Sequence, residues 1–268
     1  MDRTISTLLK TYVLLVFAVV FMPIVVSFIF SFSADRFPTL PLSGYSLQWY
    51  QAVLADTEVM AAAKRTLIAG ITASILSTAI GFGAAYTDYR YNFFGKKIYL
   101  ALGFMPPLVP ILILGLAMLF FLAQVGLSGQ LYSVIIAHTV LCIPFATAVI
   151  RLRLSQMDPG LEAAAWNLGA SQWQGMFHLV LPFCRPAILA ALFVTAAVSF
   201  DEFAIAWFVS GLQETLPVRV LSFVQGQASP RINAIGSFTF TLSIILVVLA
   251  QILLLRSNSA RRSNKEST

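Results

Sequence analysis

Six apolar runs, at residues 12–32, 66–86, 98–122, 132–150, 187–209 and 234–255, restrict this chain more than any other feature. A helix that crosses a ~30 Å hydrocarbon core needs about 20 such residues, and each run supplies close to that number or more. The segments between them cannot clothe a water-facing surface. Only 10% of the 268 residues are charged, against about 25% in a soluble domain. Soluble enzymes, secreted disulfide scaffolds and disordered chains are excluded on that count. The expectation is an all-α integral membrane protein, a single domain over 1–268 with six transmembrane helices. Arg3 and Lys10 precede the first run as in a signal peptide, but the run is longer than the roughly 7–15 apolar residues of a signal.

Charge orients the spans. Of the 17 Lys and Arg, twelve fall on the side that holds both termini: Arg3, Lys10, Arg90, Lys96, Lys97, Arg151, Arg153, Arg185, Arg256, Arg261, Arg262 and Lys265. The other five, Arg36, Lys64, Arg65, Arg219 and Arg231, fall on the opposite side. Cytoplasmic segments carry the basic excess, so both termini are expected in the cytoplasm. The net charge of +6 then reflects orientation and not nucleic-acid binding. Cys142 and Cys184 lack a CxxC spacing and a neighbouring His, which supports neither a disulfide nor a metal framework. His138, in the fourth run, and His178 are isolated and suit hydrogen bonding better than metal ligation.

Two connecting segments are long. The outer one, 33–65, begins with Pro38, Pro41 and Gly44, and its 45–54 stretch suits a short interfacial helix. The inner one, 151–185, is too polar to span and too patterned for a slack linker. Asp158 followed by Pro159 is a helix start, the carboxylate capping free N–H groups and the proline losing nothing at the first helical position. Gly169 stands where a left-handed residue would end that helix. Ser171 and Gln174 then have capping-box spacing and open a second helix. Its Trp173, Met176, Phe177 and Val180 fall on one face, and Pro182 and Pro186 close the segment. Ala163, Ala164 and Ala165 leave room for another protein's surface. These features fit a docking element or a well-capped connector.

The stretch from Leu161 through Glu162, Ala163, Ala164, Ala165, Gly169 and Ala170 to Leu179, Leu181 and Pro182 resembles the EAA loop of bacterial ABC importer permeases. That pattern is E-A-A, three residues, Gly, nine residues, Ile, one residue, Leu-Pro. Gly169, Leu181 and Pro182 match it, Leu179 replaces the Ile, and Ala163 occupies the glutamate slot, with Glu162 one residue earlier. On a helix that neighbour points about 100° away, so Glu162 does not simply replace the family's acid. Ser199-Phe200-Asp201-Glu202-Phe203, Phe208-Val209-Ser210-Gly211, Leu216-Pro217 and Ser229 to Ala234 are similar to permeases of spermidine/putrescine importers, particularly the second of the two.

The resemblance implies a type I ABC importer transmembrane domain in the bacterial cytoplasmic membrane. Implied partners are two copies of an ATP-binding subunit, which hold ATP and Mg, a second homologous permease and an extracytoplasmic substrate-binding protein. The chain itself is expected to bind no cofactor and no nucleic acid, and to meet lipid on its exterior. The implied substrate is a small cationic solute, a polyamine; similar permeases handle amino-acid derivatives, opines and aminophosphonates.

The chain is not expected to be an enzyme. Gly95-Lys96-Lys97 lacks the upstream glycine and the following Ser/Thr of a phosphate loop, so energy would come from the ATPase. Asp201 and Glu202 lie inside an apolar run, where a charge costs about 3 kcal/mol. They suit cation attraction, a polar gate, or structural pairing within an interface. Trp207 and Phe208 would form a constriction or anchor an interface. Pro106, Pro107 and Pro110 break or kink the third run, lining a cavity or packing statically, as Pro144 does in the fourth. Gly70, Gly81 and Gly83 suit close helix packing. A stand-alone carrier using the two acids is the alternative from another class, and it would need neither a docking loop nor a partner. An integral-membrane enzyme would need a catalytic constellation that the sequence does not offer.

Overall fold

The computed structural model describes residues 3–37, 39–226 and 230–266. Pro38 and Ser229 lie outside the described residues, as do the side chains of Arg3, Arg256, Arg261, Arg262 and Lys265. The helices are α1 (Arg3–Phe30), α2 (Gln48–Ala55), α3 (Thr57–Arg90), α4 (Lys96–Gly103), α5 (Ile111–Gln124), α6 (Leu131–Leu154), α7 (Pro159–Asn167), α8 (Gln172–Gly175), α9 (Leu181–Asp201), α10 (Ala204–Val209), α11 (Leu216–Gly226) and α12 (Arg231–Glu266). Among the described residues the only β feature is an isolated bridge between Ser33 and Tyr45.

Among the described residues, five helical stretches are long and apolar enough to cross a membrane: Ile5–Phe30, Thr57–Arg90, Leu131–Leu154, Gln172–Asp201 and Arg231–Ile252. The expected span at 98–122 is not one helix. Pro106, Pro107 and Pro110 carry no N–H and their rings crowd the preceding turn. As a result α4 ends at Gly103, a 3₁₀ turn covers Pro106–Leu108, and α5 starts after Pro110. At 1.5 Å per residue the 14 residues of α5 rise about 21 Å, short of a hydrocarbon core.

The expected span at 187–209 also differs, at both ends. It stops at Asp201, and it begins far earlier because α8 runs through a π turn, Met176–Val180, into α9. Pro182 therefore does not close the segment. Its ring would meet the carbonyl one α-turn back, and the wider turn, with the Leu181 N–H bonded to the Met176 carbonyl, makes room. The π turn also shifts the helical register. Val180 is buried in the core, while Trp173 and Phe177 are exposed and stack on each other at 6.1 Å, so the four apolar residues do not share one face.

The chain forms two compact units, Met1–Ala61 with Arg219–Thr241, and Ala62–Val218 with Leu242–Thr268. In the first, α1 turns apolar side chains outward along its length. The loop after it is fastened by Trp49 Nε1 donating to the Ser33 carbonyl at 2.7 Å and by the Tyr50 and Ser31 hydroxyls at 2.8 Å. The short helix expected near 45–54 is α2. In the second unit α6 and α9 pack through small buried residues, among them Ala137, Ala146, Ala187, Ala190 and Ala191, as membrane helices do where hydrophobicity gives no drive to associate. Gly81 of α3 lets that helix close on α6: a Cβ there would stand 2.8 Å from Ala146 Cβ and 2.9 Å from the Thr147 nitrogen. Gly70 likewise faces the Phe200 ring, whereas a Cβ at Gly83 would have no described neighbour within 4 Å.

Candidate functional site

The first site is built where α9 breaks. Glu202 turns extended, at ψ 117°, so α9 ends and α10 begins two residues later with unbonded N–H groups at its start. The Glu202 carboxylate supplies the acceptors, taking the Ile205 N–H at 2.9 Å and the Ala206 N–H at 3.0 Å. It is 6% exposed, and His138 Nε2 of α6 lies 3.2 Å from Oε2. The other imidazole nitrogen, Nδ1, lies 2.7 Å from Ser199 Oγ on α9.

Asp201, by contrast, is exposed, with the Ser243 hydroxyl of α12 beside it. It opens on a cleft of about 460 Å³ whose walls include Pro106, Pro107, Val109, Phe145 and Phe203. The structure thus brings the proline break and the acid pair to one place. The helix stops between the two acids, so they do not follow one another along a continuous helix. Trp207 stands outside the lining, half-exposed, stacked on Phe203 at 6.1 Å and tilted against Phe208 at 5.2 Å.

The second site is the 151–185 segment. Asp158 Oδ1 accepts the Gly160 N–H at 2.8 Å and starts α7. At its end Gly169 adopts φ 86°, and two bonds close the turn, Gly169 N–H to Trp166 O at 2.8 Å and Ala170 N–H to Ala165 O at 3.0 Å. Ser171 and Gln174 make the expected capping box, at 3.3 and 2.7 Å. Ala163 and Ala164 are exposed beside Leu161, Leu168, Trp173 and Phe177, while Ala165, Ala170, Leu179, Leu181 and Pro182 are half-buried.

Glu162 faces inward and is 5% exposed. Burial raises its carboxyl above the ordinary value, and the charge of Arg90 pulls the other way. Tyr86 and Tyr89 of α3 share those surroundings, and the Arg90 guanidinium lies 4.1 Å from the Trp166 ring centroid. Arg90 and Trp166 had no signal in the sequence beyond a cation at the end of an apolar run and a tryptophan in a loop. A third cluster also went unread: buried Asp88 holds Arg151 Nε at 2.5 Å and Lys96 Nζ at 3.3 Å, tying together the ends of α3, α4 and α6. Among the described residues no group of three or more His, Cys, Asp or Glu is placed to hold a metal ion.

Residues 77–262 match the family of binding-protein-dependent transport system inner membrane components. The chain belongs to that family. It is 30% identical over 250 residues to the spermidine/putrescine transport system permease protein PotC of Haemophilus influenzae, covering 93% of this chain and 97% of PotC. It is 29% identical over 246 residues to the sulfate transport system permease protein CysT of Escherichia coli, covering 83% of this chain and 88% of CysT. A chain of a bacterial ABC transporter involved in the import of the acidic polysaccharide alginate superposes with a TM-score of 0.71 at 14% identity, over 95% of this chain and 96% of that one. That likeness is one of fold. As a family member the chain is an ABC importer permease, a non-catalytic, multi-pass membrane subunit.

Proposed function

We propose that the chain forms half of the translocation pathway of an ATP-driven importer for a small cationic solute, a polyamine of the spermidine/putrescine class. Six spans cross the bacterial cytoplasmic membrane with both termini inside, the third being the proline-broken stretch over 98–122. The 158–182 segment docks on one of two ATP-binding subunits, which bind ATP and Mg and close on each other. Their closure draws the docking segments of this permease and a second, homologous one together and tips the spans outward. An extracytoplasmic binding protein then delivers the solute, with 33–65 and the loop over 211–232 as its landing surfaces.

The observation that carries the substrate class is the exposed Asp201 carboxylate on a cleft whose lining, among the described residues, includes Glu202 and no Lys, Arg or His. Such a cleft attracts cations and repels a sulfate-like anion, and the polyamine permease PotC is the relative matched over more of the chain. On the docking segment, Leu161, Leu168, Trp173 and Phe177 make the offered surface apolar. With Glu162 turned inward, the partner meets side chains other than the family's acid.

The test is gentle purification of the tagged chain from its host, followed by ATPase and uptake assays on whatever assembles with it. The expected result is an ATP-binding subunit and a second permease, ATPase stimulated by polyamine-loaded binding protein, and spermidine uptake reduced by Asp201→Asn. Transport by the chain alone without ATP would overturn the importer reading. Stimulation by a loaded anion-binding protein instead would overturn the substrate class.

A further inference from the structure

The two acids at the α9 break do different work, and a third residue separates them. The Glu202 carboxylate accepts two α10 N–H groups, and the His138 imidazole stands 3.2 Å from it. It is also buried, so an incoming cation would have to displace three partners to reach it. His138 is 1% exposed and touches both sides of the break, Ser199 on α9 through Nδ1 and Glu202 through Nε2. It is anchored in α6, the helix against which α9 is packed. Asp201 lies between these two attachment points in sequence; both acids border the cleft, but Asp201 is exposed there while Glu202 is only 6% exposed.

We propose that His138 is a positioning residue that pegs the α9 break to α6, withdrawing Glu202 into a structural cap and holding Asp201 as the one acid of the pair presented to a cationic solute. The pairing is geometrically specific. Only a side chain with polar atoms on opposite edges spans Ser199 and Glu202 at once, and a Gln or Asn in its place satisfies one side. Without the peg the break is free to roll on α6, and the residue at position 201 spends less time facing the cleft. The role of Asp201 toward a cation rests on the function proposed above; the orientation of the break does not.

The test uses the assembled transporter with Cys142→Ala and Cys184→Ala, which removes the two native thiols, and with Asp201→Cys as a reporter. A cationic methanethiosulfonate reagent measures how readily the introduced thiol is reached. Adding His138→Ala should slow its modification by about fivefold, the weight of one lost buried hydrogen bond, while Val109→Cys in the cleft wall keeps its rate. In the native-cysteine transporter, spermidine uptake by His138→Ala with Asp201→Asn should equal that of Asp201→Asn alone, because the histidine acts through the aspartate. Independent sites would give the product of the two losses.

His138→Gln, which keeps one polar arm, stands in if the alanine variant fails to assemble. Unchanged modification of the thiol, or multiplicative losses in the double variant, would overturn the peg. If Asp201→Asn leaves spermidine uptake untouched, the cationic-solute reading falls instead, and the modification rates still decide the positioning.

Discussion

Gly169 offers a substitution that probes backbone conformation and nothing else. It sits at φ 86° with no atom within 4 Å of where a Cβ would be, so a side chain there meets open space. An L residue held in the left-handed region costs roughly 1–2 kcal/mol, with β-branched residues worst and Asn best tolerated. The whole cost falls on the turn closed by the Gly169 and Ala170 N–H bonds. A loss of that size lowers the population of the closed turn by about 5- to 30-fold. Gly169 is exposed and packs against nothing, so insertion and complex yield should not change. The assay is the ATPase of the reconstituted complex with and without loaded binding protein, with uptake measured alongside. Stimulated ATPase and uptake should rank Gly169 and Gly169→Asn first, Gly169→Ala next and Gly169→Val last, the last losing most of the stimulation. Full stimulation in Gly169→Val would refute the turn's role in coupling. An Asn variant as poor as Val would show that side-chain bulk, and not backbone, is being read.

Gly81→Val should lower membrane levels and melting temperature, because its Cβ would press on Ala146 and the Thr147 backbone and overpacking of this kind costs about 1–3 kcal/mol; Gly83→Val, facing open space, should match the parent in both measurements. Arg90→Ala and Trp166→Leu each remove the same cation–π contact, worth about 0.5–2 kcal/mol, so the double variant should uncouple ATPase from uptake no more than the worse single variant. For Glu162, burial raises the carboxyl above its ordinary value of 4.5, so the folded state holds the proton more tightly. Stability then falls as pH rises from 4.5 through the raised value, and Glu162→Gln should flatten that fall in melting curves of the complex.

Local signals were legible in the sequence where one short stretch carries the whole physical cause. The Asp158 cap, the left-handed Gly169 and the Ser171–Gln174 box each involve residues within three positions of one another, and each is present. The prolines of the third run were legible as a break or a kink for the same reason, since proline acts on its own turn, but not the division of that run into α4, a 3₁₀ turn and α5. What was not legible depends on residues far apart in the chain. Hydrophobicity alone ran the fifth span on to Val209, because Phe203, Ile205 and Trp207 are as apolar as the helix before them. The helix stops because Glu202 is capping α10 beside His138, and no spacing rule relates positions 138 and 202. The loop pattern put Glu162 one residue from the family's glutamate slot, about 100° away around the helix, and did not say what it would face. Its inward turn follows from Arg90 and the tyrosines of α3, which only the fold brings beside it.

The two helix breaks of the second unit meet at one cleft, and each resolves the same difficulty differently. Irregular backbone at membrane depth survives only where its polar groups are satisfied by protein or open onto an aqueous cavity. At 104–110 the sequence removes donors: Pro106, Pro107 and Pro110 have no N–H, and the Leu108 and Val109 N–H groups bond back to Met105 and Pro106 at 2.9 and 3.3 Å. At 202–206 it adds an acceptor, Glu202, that takes two N–H groups at once. Proline leaves a stiff wall, whereas a carboxylate cap can be released when its partners move. The cleft therefore has two walls of irregular backbone, one satisfied by missing donors at 104–110 and the other by an added acceptor at Glu202.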